Sequence, residues 1–354
     1  MWFPNAEVAV NPVLLLLLGV MVGTLSGFFG VGGGFLITGG LLVFGVPPVF
    51  AVGTGLALIM GSSIINTLKH RHLGNVDFRL GMLLLIGTIP GVFLAEQTNS
   101  ALEEAGIVGP VIRYVYILFL GVVGGFIIFD YLRLRRTAKL GGEEISTASL
   151  ARRVRGLRIP PHSIWLPGLG SVPTYVHLPV SGIESLSVFI PVMVGLAVGF
   201  FAGLLGAGGG FLLMPALIYG LGVPTTVAIG TDLFQIVVTG SWGTFIYALS
   251  HNVDPKMTII MLSAASVGSQ LGTSATRFVE PARIRILFGV TILGGCAAVA
   301  LEQISTFSDS VEFLSTVASV VLLSVAGATC LIIGGLMIKA KSGSRELAPT
   351  EGDD

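Results

Sequence analysis

The sequence predicts an all-α polytopic membrane protein built from two inverted repeats. Each repeat is a glycine-broken helical hairpin followed by about three crossings, and an extra helix ends the chain. Hydrophobic residues make up 53% of the sequence and charged residues only 11%, whereas soluble domains carry about 25% charged residues. A glycine-rich segment occurs twice between long apolar runs, and the basic and acidic connecting segments are segregated along the chain. These observations together indicate a duplicated membrane protein.

The glycine-rich segment defines the repeat. Residues 27–36 read Gly-Phe-Phe-Gly-Val-Gly-Gly-Gly-Phe-Leu, and residues 203–212 repeat them with only Phe28, Phe29 and Val31 changed. Further matches are Gly19/Gly195, Gly23/Gly199, Val46-Pro47/Val223-Pro224, Gly53-Thr54/Gly230-Thr231, Asn75-Val76-Asp77/Asn252-Val253-Asp254 and Gly91/Gly268. Agreement at this many positions, in the same order, indicates internal duplication.

The apolar runs divide the chain into segments. The first transmembrane repeat is assigned to residues 1–132 and the second to residues 188–305. Residues 133–187 are basic and then rich in Pro and Gly, and we expect a cytoplasmic linker with little regular structure. Residues 306–340 form the extra transmembrane helix, and residues 341–354 form a polar tail.

Charge predicts the orientation, because short loops rich in Lys and Arg stay in the cytoplasm. The basic segments are residues 69–79, 133–158, 277–285 and 339–345. All of them lie inside only if each hairpin returns to the side it entered from. The protein is then expected in the plasma membrane, with its C-terminus cytoplasmic and an outer acidic loop at Glu96, Glu103 and Glu104. The Asn-Val-Asp copies fall on opposite sides, which is why the repeats are predicted to be inverted.

The triple glycines are the first candidates for substrate binding. They are Gly32, Gly33 and Gly34, with the copies Gly208, Gly209 and Gly210. Each glycine costs a helix ~1 kcal/mol relative to Ala, and free N–H groups cannot face lipid. Helices that begin after the breaks would direct partial positive charge and free N–H groups into the membrane, which suits a small anion. The alternative is a purely structural turn.

Polar residues in the crossing helices are further candidates. Thr54 and Thr231 follow a glycine in each repeat, and their hydroxyls bond either a substrate oxygen or the preceding helical turn. Asn66 either lines a polar path or bonds backbone. These residues are therefore candidates for substrate binding, with a structural role as the alternative.

Asp232 breaks the symmetry of the two repeats. It lies with Gln235 in an otherwise apolar helix, and Gly55 holds the equivalent position. A carboxylate inside a membrane helix marks an ion or proton path. Asp232 is therefore the candidate proton-coupling residue and Gln235 a candidate substrate contact. The alternative is that Asp232 caps a helix near the cytoplasmic interface.

The sequence gives little indication of a metal site, a bound cofactor or a nucleic-acid partner. His70 and His72 are two residues apart and do not share a helix face, so no metal site is expected. Residues 30–34 lack the Lys-Ser/Thr of a phosphate loop, and no cofactor is expected. The formal net charge is zero, so nothing indicates a nucleic-acid partner. We expect Cys296 and Cys330 to be free.

These motifs resemble the TauE/SafE sulfite-exporter family. The resemblance is carried by residues 27–36, by Gly45-Val46-Pro47 with Ala51-Val52-Gly53-Thr54, and by Gly74-Asn75-Val76-Asp77. It implies sulfite, a sulfonate or another organosulfur or organic anion as substrate. Inverted repeats, paired helix breaks and the lack of an ATP-binding motif favour a secondary transporter in the lipid bilayer, and leave a homo-oligomer open. The alternatives are a membrane scaffold or sensor acting through the linker, and an intramembrane enzyme, which would need more than Asp232.

Overall fold

The computed structural model describes residues 1–139, 151, 153–154, 156, 163–166, 170–305 and 313–346. Its helices are α1 (Pro12–Phe29), α2 (Gly34–Val43), α3 (Pro48–His72), α4 (Phe78–Glu104), α5 (Val108–Lys139), α6 (Phe189–Leu205), α7 (Gly210–Pro215), α8 (Thr225–Leu249), α9 (Pro255–Ala275), α10 (Pro281–Ser305) and α11 (Phe313–Glu346). A π-helical turn, Ala216–Gly220, continues α7. Short antiparallel strand pairs are β1 (Trp2–Phe3) with β2 (Val8–Ala9), β3 (Ser163–Leu166) with β4 (Gly170–Pro173), and β5 (Tyr175–Leu178) with β6 (Ile183–Ser187).

The helices confirm the prediction of an all-α polytopic membrane protein. Six described helices are long and apolar enough to cross a membrane, namely α1, α3, α4, α5, α10 and α11. Helix α5 exposes Leu118, Val122, Phe126 and Phe129, which lie along one face at helical spacing. Apolar side chains exposed in this way are expected to face lipid.

Glycine stripes bring the first helix of each hairpin onto the other repeat. Helix α1 packs on α9, and α6 packs on α4. A side chain at Gly23 would collide with the backbone of Ala265, and one at Gly199 with the backbone of Thr88. Small residues allow this close backbone approach in membrane bundles. Each hairpin is therefore clamped to the opposite half of the chain.

Helices α3 and α8 occupy equivalent places in the two repeats and run antiparallel. Gly53, near the start of α3, lies against the carbonyl of Asn252, just after α8 ends. Gly230, near the start of α8, lies against the carbonyl of Asn75, just after α3 ends. Equivalent helices that run in opposite directions are the arrangement that inverted repeats produce.

The linker has more regular structure than expected. Its described residues include the antiparallel strand pairs β3–β4 and β5–β6, so the expectation of little regular structure is wrong for residues 163–166 and 170–187. The turn of β5–β6 contains Gly182 at φ +65°, a conformation that favours glycine. The same turn docks on the bundle, because Ser181 Oγ donates to Asp77 Oδ2 at 2.6 Å. The basic part of the linker lies mostly outside the described residues.

The acidic loop expected at Glu96, Glu103 and Glu104 is also wrong, because these residues belong to α4. Glutamate is a good helix former, and the helix stops only before Gly106, which has φ +70°. Helix α5 likewise extends to Lys139 and α11 to Glu346, beyond the boundaries set at 132 and 340. Charged residues continue these helices past the apolar runs that marked the boundaries.

The close packing of α1 on α9 predicts that two Gly→Ala substitutions will change the midpoint of thermal unfolding by different amounts. Gly23→Ala should lower the midpoint of thermal unfolding, since overpacking typically costs about 1–3 kcal/mol. Gly125→Ala is the control, because a methyl group there meets no atom within 4 Å, and alanine favours the helix by ~1 kcal/mol. Equal shifts of both midpoints would contradict the close packing at Gly23.

Candidate functional site

Both hairpins turn through glycines in a left-handed conformation. Gly32 and Gly33 have φ of +67° and +75°, and Gly208 and Gly209 have φ of +69° and +77°. Residues with a Cβ rarely adopt these angles, so the turns depend on glycine. The repeated sequence thus gives the same sharp reversal in each half.

The two turns meet at the centre of the bundle. A side chain at Gly34 would collide with the backbone of Ala207 in the other hairpin. A Cβ at Gly210 would lie 2.8 Å from the Cα of Val31. Gly208 lies against Ile59 and Ile236, which are close to the midpoints of α3 and α8. The predicted glycine sites of both repeats therefore form one central region.

Backbone donors in this region lack acceptors. The N–H groups of Leu36 and Ile37 bond the Gly33 carbonyl at the start of α2. Within the described part of the chain, no acceptor is found for the N–H groups of the six triple-glycine residues. All six residues are buried, and a buried donor without a partner costs free energy. These donors are suited to the oxygens of an anion.

Gly33 and Gly209 allow close packing within their own hairpins. A Cβ at Gly33 would lie 2.5 Å from Cγ1 of Val22, and one at Gly209 would lie 2.6 Å from Cγ1 of Val198. These positions therefore allow α1 to approach α2, and α6 to approach α7.

Asp232 lies beside the two turns. It is fully buried, and neither carboxylate oxygen has a hydrogen-bond partner among the described residues. A Cβ at Gly210 would lie 2.7 Å from Asp232 Oδ2. Helix α8 begins at Thr225, so Asp232 lies well inside it, and the alternative of a helix cap is wrong. A buried carboxylate without partners is a strong candidate for binding a proton or a cation.

Thr54 and Thr231 link the two repeats. The N–H of Asp254 donates to Thr54 Oγ1 at 3.0 Å, and the N–H of Asp77 donates to Thr231 Oγ1 at 3.0 Å. Each aspartate also caps the helix that follows it, α9 or α4. The structure thus gives the threonine hydroxyls partners in the other repeat, which neither sequence-based alternative included.

Asn66 joins three helices through side chains. Its Nδ2 donates to Ser26 Oγ at 3.1 Å and to Ser269 Oγ at 3.4 Å. Thr273 Oγ1 donates to Asn66 Oδ1 at 2.8 Å. The network ties α3 to α1 and α9. The sequence alone does not indicate these three partners, because a single Ser or Thr in a membrane helix carries no distinctive signal.

Gln235 is placed one turn from Asp232 on α8. Its Nε2 donates to Thr88 Oγ1 at 3.1 Å and to Thr239 Oγ1 at 2.7 Å. Its Oε1 has no partner among the described residues. Ser63 Oγ is also buried and unpartnered, and it lies 3.4 Å from the Cβ position of Gly32. Ser63 was missed, and its place opposite a triple glycine is visible only in the fold.

The described residues contain no group of three or more His, Cys, Asp and Glu side chains that could hold a metal ion. Cys296 and Cys330 are both free. The polar chemistry of the centre therefore comes from backbone donors, hydroxyl and amide groups, and the carboxylate of Asp232.

The family follows from the extent of one match. Residues 15–301 match the family described as sulfite exporter TauE/SafE, so the match includes both hairpins and the centre between them. The chain belongs to the TauE/SafE family. No solved structure gives a significant match.

Relatives of this TauE/SafE protein carry transporter names. The probable membrane transporter protein YunE of Bacillus subtilis is 24% identical over 80% of this chain and 96% of its own length. A probable membrane transporter protein of Xylella fastidiosa is 28% identical over 73% of this chain and 83% of its own. A probable membrane transporter protein of Methanocaldococcus jannaschii is 23% identical over 79% of this chain and 92% of its own length. Exporter and transporter names support the prediction of a transporter and not an enzyme.

Proposed function

We propose that this protein is a secondary transporter of a small anion. The substrate class is sulfite, a sulfonate or another organosulfur or organic anion, carried across the plasma membrane. The observation that carries the proposal is the meeting of two glycine turns near the midpoints of α3 and α8, with buried N–H groups that find no acceptor among the described residues. Paired helix breaks at the middle of an inverted repeat are the typical place for a transported substrate.

An anion is favoured because the backbone supplies the positive charge. Helix α2 begins at Gly34 with no side-chain cap, so its N-terminal donors and dipole are directed at the centre. No Lys or Arg is among the buried residues of the described chain. An anion held only by N–H and hydroxyl groups can leave more easily than one paired with a fixed cation.

Asp232 supports coupling to a proton. A permanent carboxylate at the centre would repel an anion, whereas a protonated carboxyl would not. Binding of the proton and binding of the anion should therefore favour each other, and this reciprocity is the thermodynamic basis of symport. The C-terminus is expected in the cytoplasm, as the basic segments predict.

The proposal is tested by thermal unfolding of the purified chain with sulfite, thiosulfate, sulfate, sulfonates and carboxylates. A ligand that binds only the folded state stabilises it by about 2.7 kcal/mol at one hundred times its dissociation constant. At least one organosulfur anion should raise the unfolding midpoint saturably, against a chloride control at equal ionic strength. If none of these anions raises the unfolding midpoint, the result would count against an anion transporter of this class.

A further inference from the structure

A second polar network lies near the ends of α4 and α8. We call Glu96, Asn99, Ser100, Tyr247 and Ser250 the Glu96 cluster. Glu96 Oε1 accepts hydrogen bonds from Ser250 Oγ at 2.9 Å and from Ser100 Oγ at 3.1 Å. Ser250 is exposed, so the cluster has an edge at the surface of the protein.

The cluster also covers the end of α6. Asn99 Nδ2 donates to the Leu204 carbonyl at 3.2 Å and to the Tyr247 hydroxyl at 2.6 Å. Tyr247 in turn donates to the Gly203 carbonyl at 3.1 Å. The last carbonyls of a helix have no partner within it, and they carry the negative end of the helix dipole.

One oxygen of the cluster has no donor. A carbonyl can only accept, so the contact with Leu204 requires that the NH₂ group of Asn99 face it. Asn99 Oδ1 is then directed elsewhere, and it has no partner among the described residues. Asn99 is only 1% exposed, so this oxygen is unpartnered at a buried position.

The Glu96 cluster also lacks a positive charge. Glu96 is 6% exposed, and no cationic side chain pairs with it in the described part of the chain. In the described part of the chain, the Glu96 carboxylate therefore accepts only neutral hydrogen bonds, from Gln97, Ser100 and Ser250. It lies near the C-terminus of α6, together with an amide oxygen that has no donor.

The fold itself does not require this arrangement. In the first-half-to-second-half alignment, Thr273 is equivalent to Glu96 and Thr276 to Asn99, while His70 is equivalent to Tyr247. The same structural position at the other end of the bundle therefore carries no carboxylate. A buried carboxylate present at one end only is more readily explained by a ligand than by packing.

We propose that the Glu96 cluster binds a sodium ion. The ligands are the Glu96 carboxylate, Asn99 Oδ1 and, at the exposed edge, Ser250 Oγ. Hard cations take carboxylate, amide and hydroxyl oxygens, and a single carboxylate matches a single positive charge. Transporters also use the C-terminal ends of broken helices for sodium, and α6 ends here. None of these ligands is among the residues of the proposed anion site.

The test measures thermal unfolding of the full chain in sodium chloride and in choline chloride at equal ionic strength. Sodium should raise the unfolding midpoint of the wild type saturably and have no such effect on Glu96→Gln. Glu103→Gln is the matched control, because Glu103 lies on the same helix and is exposed, and it should respond like the wild type. Binding of radioactive sodium to the three proteins should follow the same order.

Two results would overturn the proposal: a wild type that does not respond to sodium, or a Glu96→Gln variant that responds normally. A wild type that responds to pH but not to sodium would assign a proton to Glu96, and would also overturn it. If Glu96→Gln does not purify as a folded protein, Ser250→Ala decides, with sodium affinity expected to fall by ~10-fold or more and an unchanged affinity counting against the site. The assay contains no organosulfur anion, so its result is independent of the proposed transport function.

Discussion

Replacing Gly34 with alanine should reduce transport by on the order of 100-fold, since displacements near 1 Å at a functional site have effects of that size. The added methyl group would overlap the backbone of Ala207 in the other hairpin, so the two turns must separate. Overpacking of this kind costs about 1–3 kcal/mol, which leaves a folded protein in the membrane. The measurement is flux of the most stabilising anion from proteoliposomes, at matched protein content.

Gly39→Ala is the control for this prediction. Gly39 lies on the same helix, but the nearest atoms to its Cβ position are side-chain atoms, Cγ2 of Val299 at 3.3 Å and Cε1 of Tyr116 at 3.7 Å. Its flux should stay near the wild-type rate. Wild-type flux from Gly34→Ala, or equal losses from both variants, would show that contact between the turns does not govern transport.

Asp232→Asn should bind the anion with an affinity that no longer depends on pH. Asparagine is close in shape to a protonated aspartate and cannot ionise, so it removes the charge without emptying the buried position. In the wild type, affinity should fall as pH rises, because a deprotonated carboxylate at the centre repels the anion. The coupling is reciprocal, so the variant should also lose proton-driven accumulation.

The measurement is the apparent dissociation constant at several pH values, corrected for titration of the anion itself. Glu104→Gln, which removes an exposed carboxylate, should keep the wild-type slope. If wild type and Asp232→Asn give parallel curves, Asp232 is not the coupled group and its role is structural.

The sequence predicts the fold well because the duplication is visible in it. The matched glycines of the two halves are the residues that let α1 approach α9 and α6 approach α4. The helix ends were less predictable, since Glu96 to Glu104 extend α4 beyond its apolar part. The β5–β6 hairpin was missed because proline and glycine recur through the second half of the linker, a composition typical of irregular segments.

The candidate site could be predicted only in part, because only residues that are unusual in a membrane helix stand out in a single sequence. The triple glycines and Asp232 violate the ordinary rules for a membrane helix, so they stand out in one sequence. Partners such as Ser26, Thr88 and Thr273 break no rule, and only contact across helices gives them meaning. Thr54 and Thr231 were identified, but their bonds to the other repeat depend on a crossing that the sequence does not contain.

The paired bonds from Asp254 to Thr54 and from Asp77 to Thr231 have a consequence for ancestry. Contacts of this kind, in which each half offers the other the same donor and the same acceptor, are the rule at the interface of a symmetric dimer. Two copies of a half-length chain, inserted in opposite orientations, could form both bonds without fusion. Such a dimer would carry two carboxylates at the centre or none. Joining the halves in one chain allows Asp232 in one repeat and Gly55 at the equivalent position of the other, and so permits a single carboxylate beside the two turns.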